Sequence, residues 1–214
     1  MLSRDLGVVT VDHFKVKWTL DGTQPPVILP TGVKVNIPKT VVGNGFVSFG
    51  DGSFIGSIDL LIVPSKLRLA AGLSIESVTD SRNRSVLATL LTVRADFPSP
   101  IVLAGTGLGI YGFNGLFAMH YKRVESPRTP GDSVSPALRW LERAGGEPAT
   151  VRSDLWVAEA DRWSLGLGVV LATLEGGFLV NTRGTFILEL PGPRLLIFVK
   201  IQVLQLRPAL GERL

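Results

Sequence analysis

The residues that most resemble a chemical motif are Gly107-Leu108-Gly109-Ile110-Tyr111-Gly112. They have the G-x-G-x-x-G spacing of a dinucleotide-binding turn and follow the strand-like Ile101 to Ala104. That chemistry needs a helix to begin at the glycines, so that its amides meet a pyrophosphate. The chain continues instead with Phe113-Asn114-Gly115-Leu116-Phe117, a poor helix and a good hairpin, and no strand–helix alternation surrounds it. The glycines read as parts of a bent strand. Gly131-Asp132-Ser133 faintly resembles the serine block of an esterase. A serine nucleophile needs a base oriented by a third group. The two histidines, His13 and His120, both lie in alternating segments among cations or aromatics, so loop and helix cap is the better reading.

Metal chemistry finds no support either. The histidines are far apart, Asp51, Asp59, Asp80 and Asp96 lack calcium-loop spacing, and Asp51-Gly52 reads as a turn pair. Nothing nominates a carboxylate pair for glycoside cleavage. Trp18, Trp140, Trp156 and Trp163, with Tyr111 and Tyr121, could line a sugar or lipid site. They read first as core, Trp18 above all because it continues an apolar strand face. The expectation is no catalytic residue, no metal ligand and no cofactor.

The elements that would position any site are strands. The chain has 214 residues, enough for one large β domain, and a core of that size needs no disulfide. Cysteine is absent, which excludes disulfides, thiolate metal sites and a cysteine nucleophile. Charged residues are only 19% and hydrophobic ones 45%, with mean hydropathy +0.33. With 24 glycines and 14 prolines, this describes many short strands broken by turns, some apolar on both faces. The net charge of +4 is scattered singly over residues such as Lys15, Lys34, Arg68, Arg94 and Arg183, which argues against a nucleic-acid partner. No apolar run is long enough for a transmembrane helix, and the amino terminus has no stretch fit for a signal peptide. A single domain over 1–214 is expected, and a piece cut from a longer chain is compatible with it.

Alternation identifies the strands. Phe14, Val16, Trp18 and Leu20 share one face, against His13, Lys15, Lys17 and Thr19. From Lys66 to Glu76, Leu67, Leu69, Ala71, Leu73 and Ile75 oppose Lys66, Arg68, Ser74 and Glu76. Ile58 to Val63 and Leu195 to Leu206 barely alternate, which predicts burial between two layers. In Trp163 to Leu174, Leu165, Leu167, Val169 and Leu171 form a bulky face and Ser164, Gly166, Gly168 and Ala172 a smooth one. Pro25-Pro26 and Pro30 frame an extended segment, Pro98 and Pro100 separate two strands, and Pro191-Gly192-Pro193 is a turn. Residues 125–134 read as a flexible loop.

A helix is predicted near 135–144, capped by Ser135, with Pro136 in its first turn, Leu138 and Leu141 on one side and Gly145-Gly146 ending it. Gly45-Phe46 with Gly52-x-Phe54, and Gly177-Phe178 with Gly184-x-Phe186, share one spacing; Gly112-Phe113 with Gly115-x-Phe117 is a compressed version. The pattern predicts a repeated hairpin whose phenylalanines pack one layer, with chance as the competing explanation.

The stretch from Trp163 to Asn181, the block Gly184 to Lys200 containing Glu189-Leu-Pro-Gly-Pro-Arg194, Gly107 to Tyr121 and Ala137-Leu-Arg-Trp-Leu141 fall within a span, 107–200, of roughly half the chain. They resemble segments of large bacterial β-rich proteins grouped as a domain of unknown function. The resemblance implies a unit of a much longer β-structured polypeptide, with neighbouring β domains as partners, and no catalytic or binding residues.

The fold expected is all-β and mainly antiparallel: a strongly twisted, curved sheet, incomplete barrel or sandwich with one short helix. The first functional expectation is a non-enzymatic scaffold with an apolar concave surface at Leu165, Leu167, Val169 and Leu171. That surface would hold lipid or another apolar ligand, or pack into a larger assembly. The second is an outer-membrane β-barrel fragment, against which count the prolines, the two-sided apolar strands and the few interfacial aromatics. The third is a groove-type hydrolase.

Overall fold

The computed structural model describes residues 8–17, 27–50, 52–124, 135–143 and 155–204. The strands are β1 (Val8–Lys17), β2 (Val27–Ile37), β3 (Val41–Gly50), β4 (Ser53–Ile62), β5 (Leu67–Thr79), β6 (Ser85–Leu103), β7 (Leu108–Arg123), β8 (Trp156–Thr173), β9 (Val180–Leu190) and β10 (Arg194–Val203). Among the described residues a single helix, α1 (Pro136–Arg143), lies between β7 and β8. The ten strands form one antiparallel sheet in sequence order. No ladder joins β1 to β10 among the described residues, so the sheet is open. The all-β fold with one short helix is therefore the observed one.

Turn chemistry sets the strand ends. Gly52 takes a positive φ of 75° in the tight β3–β4 connection, and Gly105 and Gly107 do so in the turn before β7. No helix starts at Gly107, and Gly109 and Gly112 lie inside β7, as a bent strand requires. Pro191 to Pro193 form the β9–β10 turn. Pro98 and Pro100 do not separate two strands: β6 runs through both. They sit where its pairing with β7 slips, between Asp96 and Ile101, and beyond the last residue paired to β5, so no ladder needs their missing amides. Pro30 lies within β2 opposite Phe14, and β3 joins β2 only from Gly32, leaving one side of Pro30 open.

The glycine–phenylalanine spacing does not recur as a structural unit. Gly45 to Phe54 spans the β3–β4 hairpin, whereas Gly112 to Phe117 lies within one strand and Gly177 to Phe186 runs from a turn into β9. Phe46 also faces the opposite side of the sheet from Phe54, Phe113, Phe117 and Phe186. Equal spacing at different strand phases cannot build one aromatic layer.

Helix α1 begins as the sequence predicts. The Leu138 amide donates to Ser135 Oγ at 3.2 Å and the Arg139 amide to the Ser135 carbonyl at 3.1 Å. Its anchor is Trp140, fully buried, whose Nε1 donates to the Leu155 carbonyl at 3.0 Å; Leu138 is exposed. Trp140 packs edge-on against Trp156, with ring centroids 5.5 Å apart. Gly145-Gly146 and the expected loop at 125–134 lie outside the described residues, as do Trp18 and Leu20 of the first strand pattern.

The core around these tryptophans contains Ala88, Leu90, Leu116, Ala118, Tyr121, Leu155 and Ile187, with Leu196 and Phe198 against it. By register, the strand residues Leu90, Leu116, Ala118, Ile187, Leu196 and Phe198 all point to one face, the side that α1 covers. Side chains on that face bridge strands that are not neighbours: Tyr121 on β7 reaches Ser74 and Glu76 on β5, and Arg123 on β7 reaches Glu189 on β9. The sheet curls toward this inner face.

Two outward glycines give a matched test of the packing. A Cβ on Gly45 would lie 2.6 Å from the Ser57 carbonyl oxygen, a backbone atom, whereas one on Gly184 would meet only Val169 Cγ1 at 4.0 Å. Gly45→Ala is expected to destabilise the fold by about 1–3 kcal/mol in chemical denaturation. Gly184→Ala should leave the midpoint unchanged or slightly higher.

Candidate functional site

The candidate site is the sheet's outer face. One ladder row runs Val11, Val33, Gly45, Ile58, Ala71, Val93, Gly115, Leu167, Phe186, Ile197, a residue from each strand in turn. The next row toward the carboxyl end of β8 is Val35, Gly43, Leu60, Leu69, Ala95, Phe113, Val169, Gly184, Val199. The row on the other side is Val47, Gly56, Leu73, Leu91, Phe117, Leu165, Leu188, Leu195. These three rows contain no polar side chain. Alternation puts every second residue outward, and ten strands keep that phase together.

Leu165, Leu167, Val169 and Leu171 all lie on this face. Leu167 is 50% exposed and Ile197 67%. The bulky residues of β8 therefore point away from the curl, and its smooth residues point into it. A Cβ on inward Gly166 would stand 3.0 Å from Leu116 Cβ, so the smooth face is covered by neighbouring side chains. The expected two-sided burial of Leu195 to Leu206 is corrected likewise, within the described part of that segment. Leu195, Ile197, Val199, Ile201 and Val203 are outward and exposed, while only Leu196 and Phe198 meet the core. In β4, Phe54, Gly56, Ile58 and Leu60 are outward and Ser57 and Asp59 inward. The Lys66 to Glu76 pattern also holds with its buried side reversed: Gly72 and Ser74 are buried, and the leucines are outward.

The inner face carries the charge. Arg68 grips the Asp59 carboxylate with Nε at 2.8 Å and with a second nitrogen, and Arg94 Nε donates to Asp96 at 2.7 Å. Thr92, Asp96, Ser164, Asn181 and Thr185 are buried there. Val42, Phe46 and Leu61 are inward and exposed, so this face is mixed rather than uniformly polar.

A bulge joins the two faces at the core end. His120 takes a positive φ of 57°, and the β7–β8 ladder slips between Met119 and Tyr121. Met119 pairs with outward Trp163, but the next pair, Tyr121 with Ala158, points inward. The slip thus re-aims Tyr121 and Arg123 into the curl. Tyr121 donates to Glu76 Oε1 at 2.6 Å and meets Ser74 Oγ at 2.9 Å. Arg123 Nε donates to Glu189 at 2.9 Å and stacks 5.4 Å from the Trp140 ring centre. His120 Nδ1 accepts the Asp161 amide at 2.8 Å. Gly131, Asp132 and Ser133 lie outside the described residues, as does the side chain of His13. Of the tryptophans, Trp140 and Trp156 are core, and Trp163 is outward and 40% exposed.

Among the described residues, no group of three or more His, Cys, Asp or Glu could hold a metal, and no helix is long and apolar enough to cross a membrane. Comparison with protein-family models, with curated proteins and with solved structures finds no match.

Two outcomes follow for the inner network and its rim. Tyr121→Phe removes a buried donor shared by β5 and β7, and should cost about 1–3 kcal/mol of stability in a denaturant titration. In the β5–β6 turn, Asp80 accepts the amides of Arg84 and Arg82 at 2.8 and 2.9 Å and the Arg84 guanidinium at 2.9 Å. These hydrogen bonds, the Arg84 amide foremost, hold its carboxyl below the usual range. Its stabilisation is therefore complete above the ordinary carboxylate pKa of about 3.9 and disappears as pH falls through the lower folded value. The stability gap between wild type and Asp80→Asn should be constant near neutral pH and shrink in acid.

Proposed function

We propose that this chain is a stretch of transmembrane β-barrel wall, its outer face against lipid and its inner face toward an aqueous lumen that α1 partly fills. The observation that carries the reading is the outer face, where three adjacent ladder rows, spanning ten, nine and eight strands, hold no polar side chain. Its size argues for a membrane. With the two flanking rows, whose outward polar residues include Thr89 and Thr182, nine inter-strand steps of about 4.8 Å by about 26 Å of strand from Trp163 to Leu171 give on the order of 1,000 Å². Exposed apolar patches on soluble monomers span only about 300–600 Å². A soluble scaffold holding one apolar ligand would leave most of this surface in water. At a tilt of about 40°, the same strand length rises roughly 20 Å, close to the apolar band of about 25 Å in membrane barrels.

Both long connections, 18–26 and 124–155, leave from one rim, which also bears the short turns 51–52, 80–84 and 191–193; every turn at the other rim, 38–40, 63–66, 104–107 and 174–179, is six residues or shorter. The resemblance to long bacterial β-rich polypeptides fits this reading. The open edges at β1 and β10 are where further strands, of this polypeptide or of a neighbour, would add.

The test is insertion into phosphatidylcholine vesicles. The protein should resist alkaline extraction, and Trp163 fluorescence, read in a variant whose other tryptophans are phenylalanine, should be quenched by brominated acyl chains. Leu167→Arg, in the middle outward row, should lower stability in the bilayer by about 2–4 kcal/mol. Inward Asn44→Lys should change insertion little. A soluble, monodisperse protein without detergent that ignores vesicles would overturn the proposal.

A further inference from the structure

We infer that the rim cleft between the ends of β7, β8 and β9 binds a phosphate group; its placement at headgroup level rests on the lipid-facing reading above. The cleft exists because β8 leaves the ladder from Glu159 to Arg162 while β7 skips only His120. The step opens a cavity of about 340 Å³, large enough for a phosphate and its waters. Lys122, Arg123, Arg162 and Arg194 line it, with Glu189 as the carboxylate among them. Glu189 accepts from Arg123, and Glu159 accepts from Lys122 at 3.0 Å and from Arg162 at 2.7 Å. Lys122 and Arg162 thus set two positive charges against the one carboxylate of Glu159.

Lys122 and Arg162 share a single carboxylate, and both side chains are 42% exposed. An ammonium has three donors and a guanidinium five, so Glu159 does not exhaust them. Planar guanidinium forks beside a lysine suit phosphate oxygens, which take charge-assisted hydrogen bonds from both. Trp163 forms part of the cleft wall and ends the apolar face on β8. In a bilayer that places the cations where an indole ring sits, at the headgroup boundary. A lipid phosphomonoester and free phosphate present the same chemistry to this cleft.

The experiment compares the wild type with Lys122→Gln/Arg162→Gln. The control is Arg82→Gln, an exposed cation in the β5–β6 turn at the same rim but outside the cleft. Binding to phosphatidylcholine vesicles with and without phosphatidic acid is measured beside calorimetric titration with inorganic phosphate. A preference for phosphatidic acid that falls about tenfold in the double variant and not in the control assigns a lipid headgroup. Phosphate binding in solution with the same variant dependence, but no lipid preference, assigns a soluble phosphate compound. No response to either probe, or equal loss in Arg82→Gln, overturns the inference. Failure to enter phosphatidylcholine vesicles sinks the wall reading alone, because the calorimetric arm still decides the cleft.

Discussion

Everything in this sheet depends on ten strands keeping the same side-chain phase. A slip of one residue in any ladder would exchange that strand's faces. It would carry Arg68, Asp59 or Arg94 into the apolar rows and bring leucines into the curl. Continuous antiparallel pairing prevents this, since every strand from β2 to β9 is held on both sides. From β5 to β9 the irregularities lie outside the three apolar rows, whereas β1 slips against β2 between Val11 and Phe14. The slip in β6 after Asp96 and the bulge at His120 bracket the apolar band without entering it.

The inner face is organised along the strand direction. At the end bearing the long β7–β8 connection it is closed by Trp140, Trp156, Tyr121 and small residues such as Ala88 and Ala118. Toward the other end, ion pairs replace apolar contacts. The Arg68–Asp59 pair is only about two-thirds shielded, so water still solvates it and its net contribution to stability is small. Arg123 and Glu189 are far more enclosed, at 6% and 17% exposure. Removing either would strand its partner, so this pair ties β7 to β9 across the bulge more firmly than a surface contact could.

Much of this was legible in the residues. Alternation from Leu67 to Glu76 identified β5, and Ser135-Pro136 identified the start of α1. Which face was buried could not be read, because alternation gives the two faces of a strand without saying which one meets solvent. β10 misled for a specific reason: Leu196 and Phe198 are inward apolar residues over the core, and they mask an alternation that resumes at Lys200 and Gln202. The bulge had left a signal. Positions 113, 115, 117 and 119 are Phe, Gly, Phe and Met, whereas 121 and 123 are Tyr and Arg. That change of character at constant spacing marks a change of face at His120.

The composition takes on a different meaning in this light. A mean hydropathy of +0.33 in a soluble domain would describe a large interior. Among the described residues the buried apolar cluster is small and confined to one end, and most of the exposed aliphatic residues of the strands stand outward in rows. Folding of the sheet therefore draws mainly on backbone pairing, on the core beneath α1 and on the inner polar network. The outer rows contribute through whatever medium covers them. In the proposed barrel wall hydrocarbon would be that covering, since lipid tails need no specific partner on each strand.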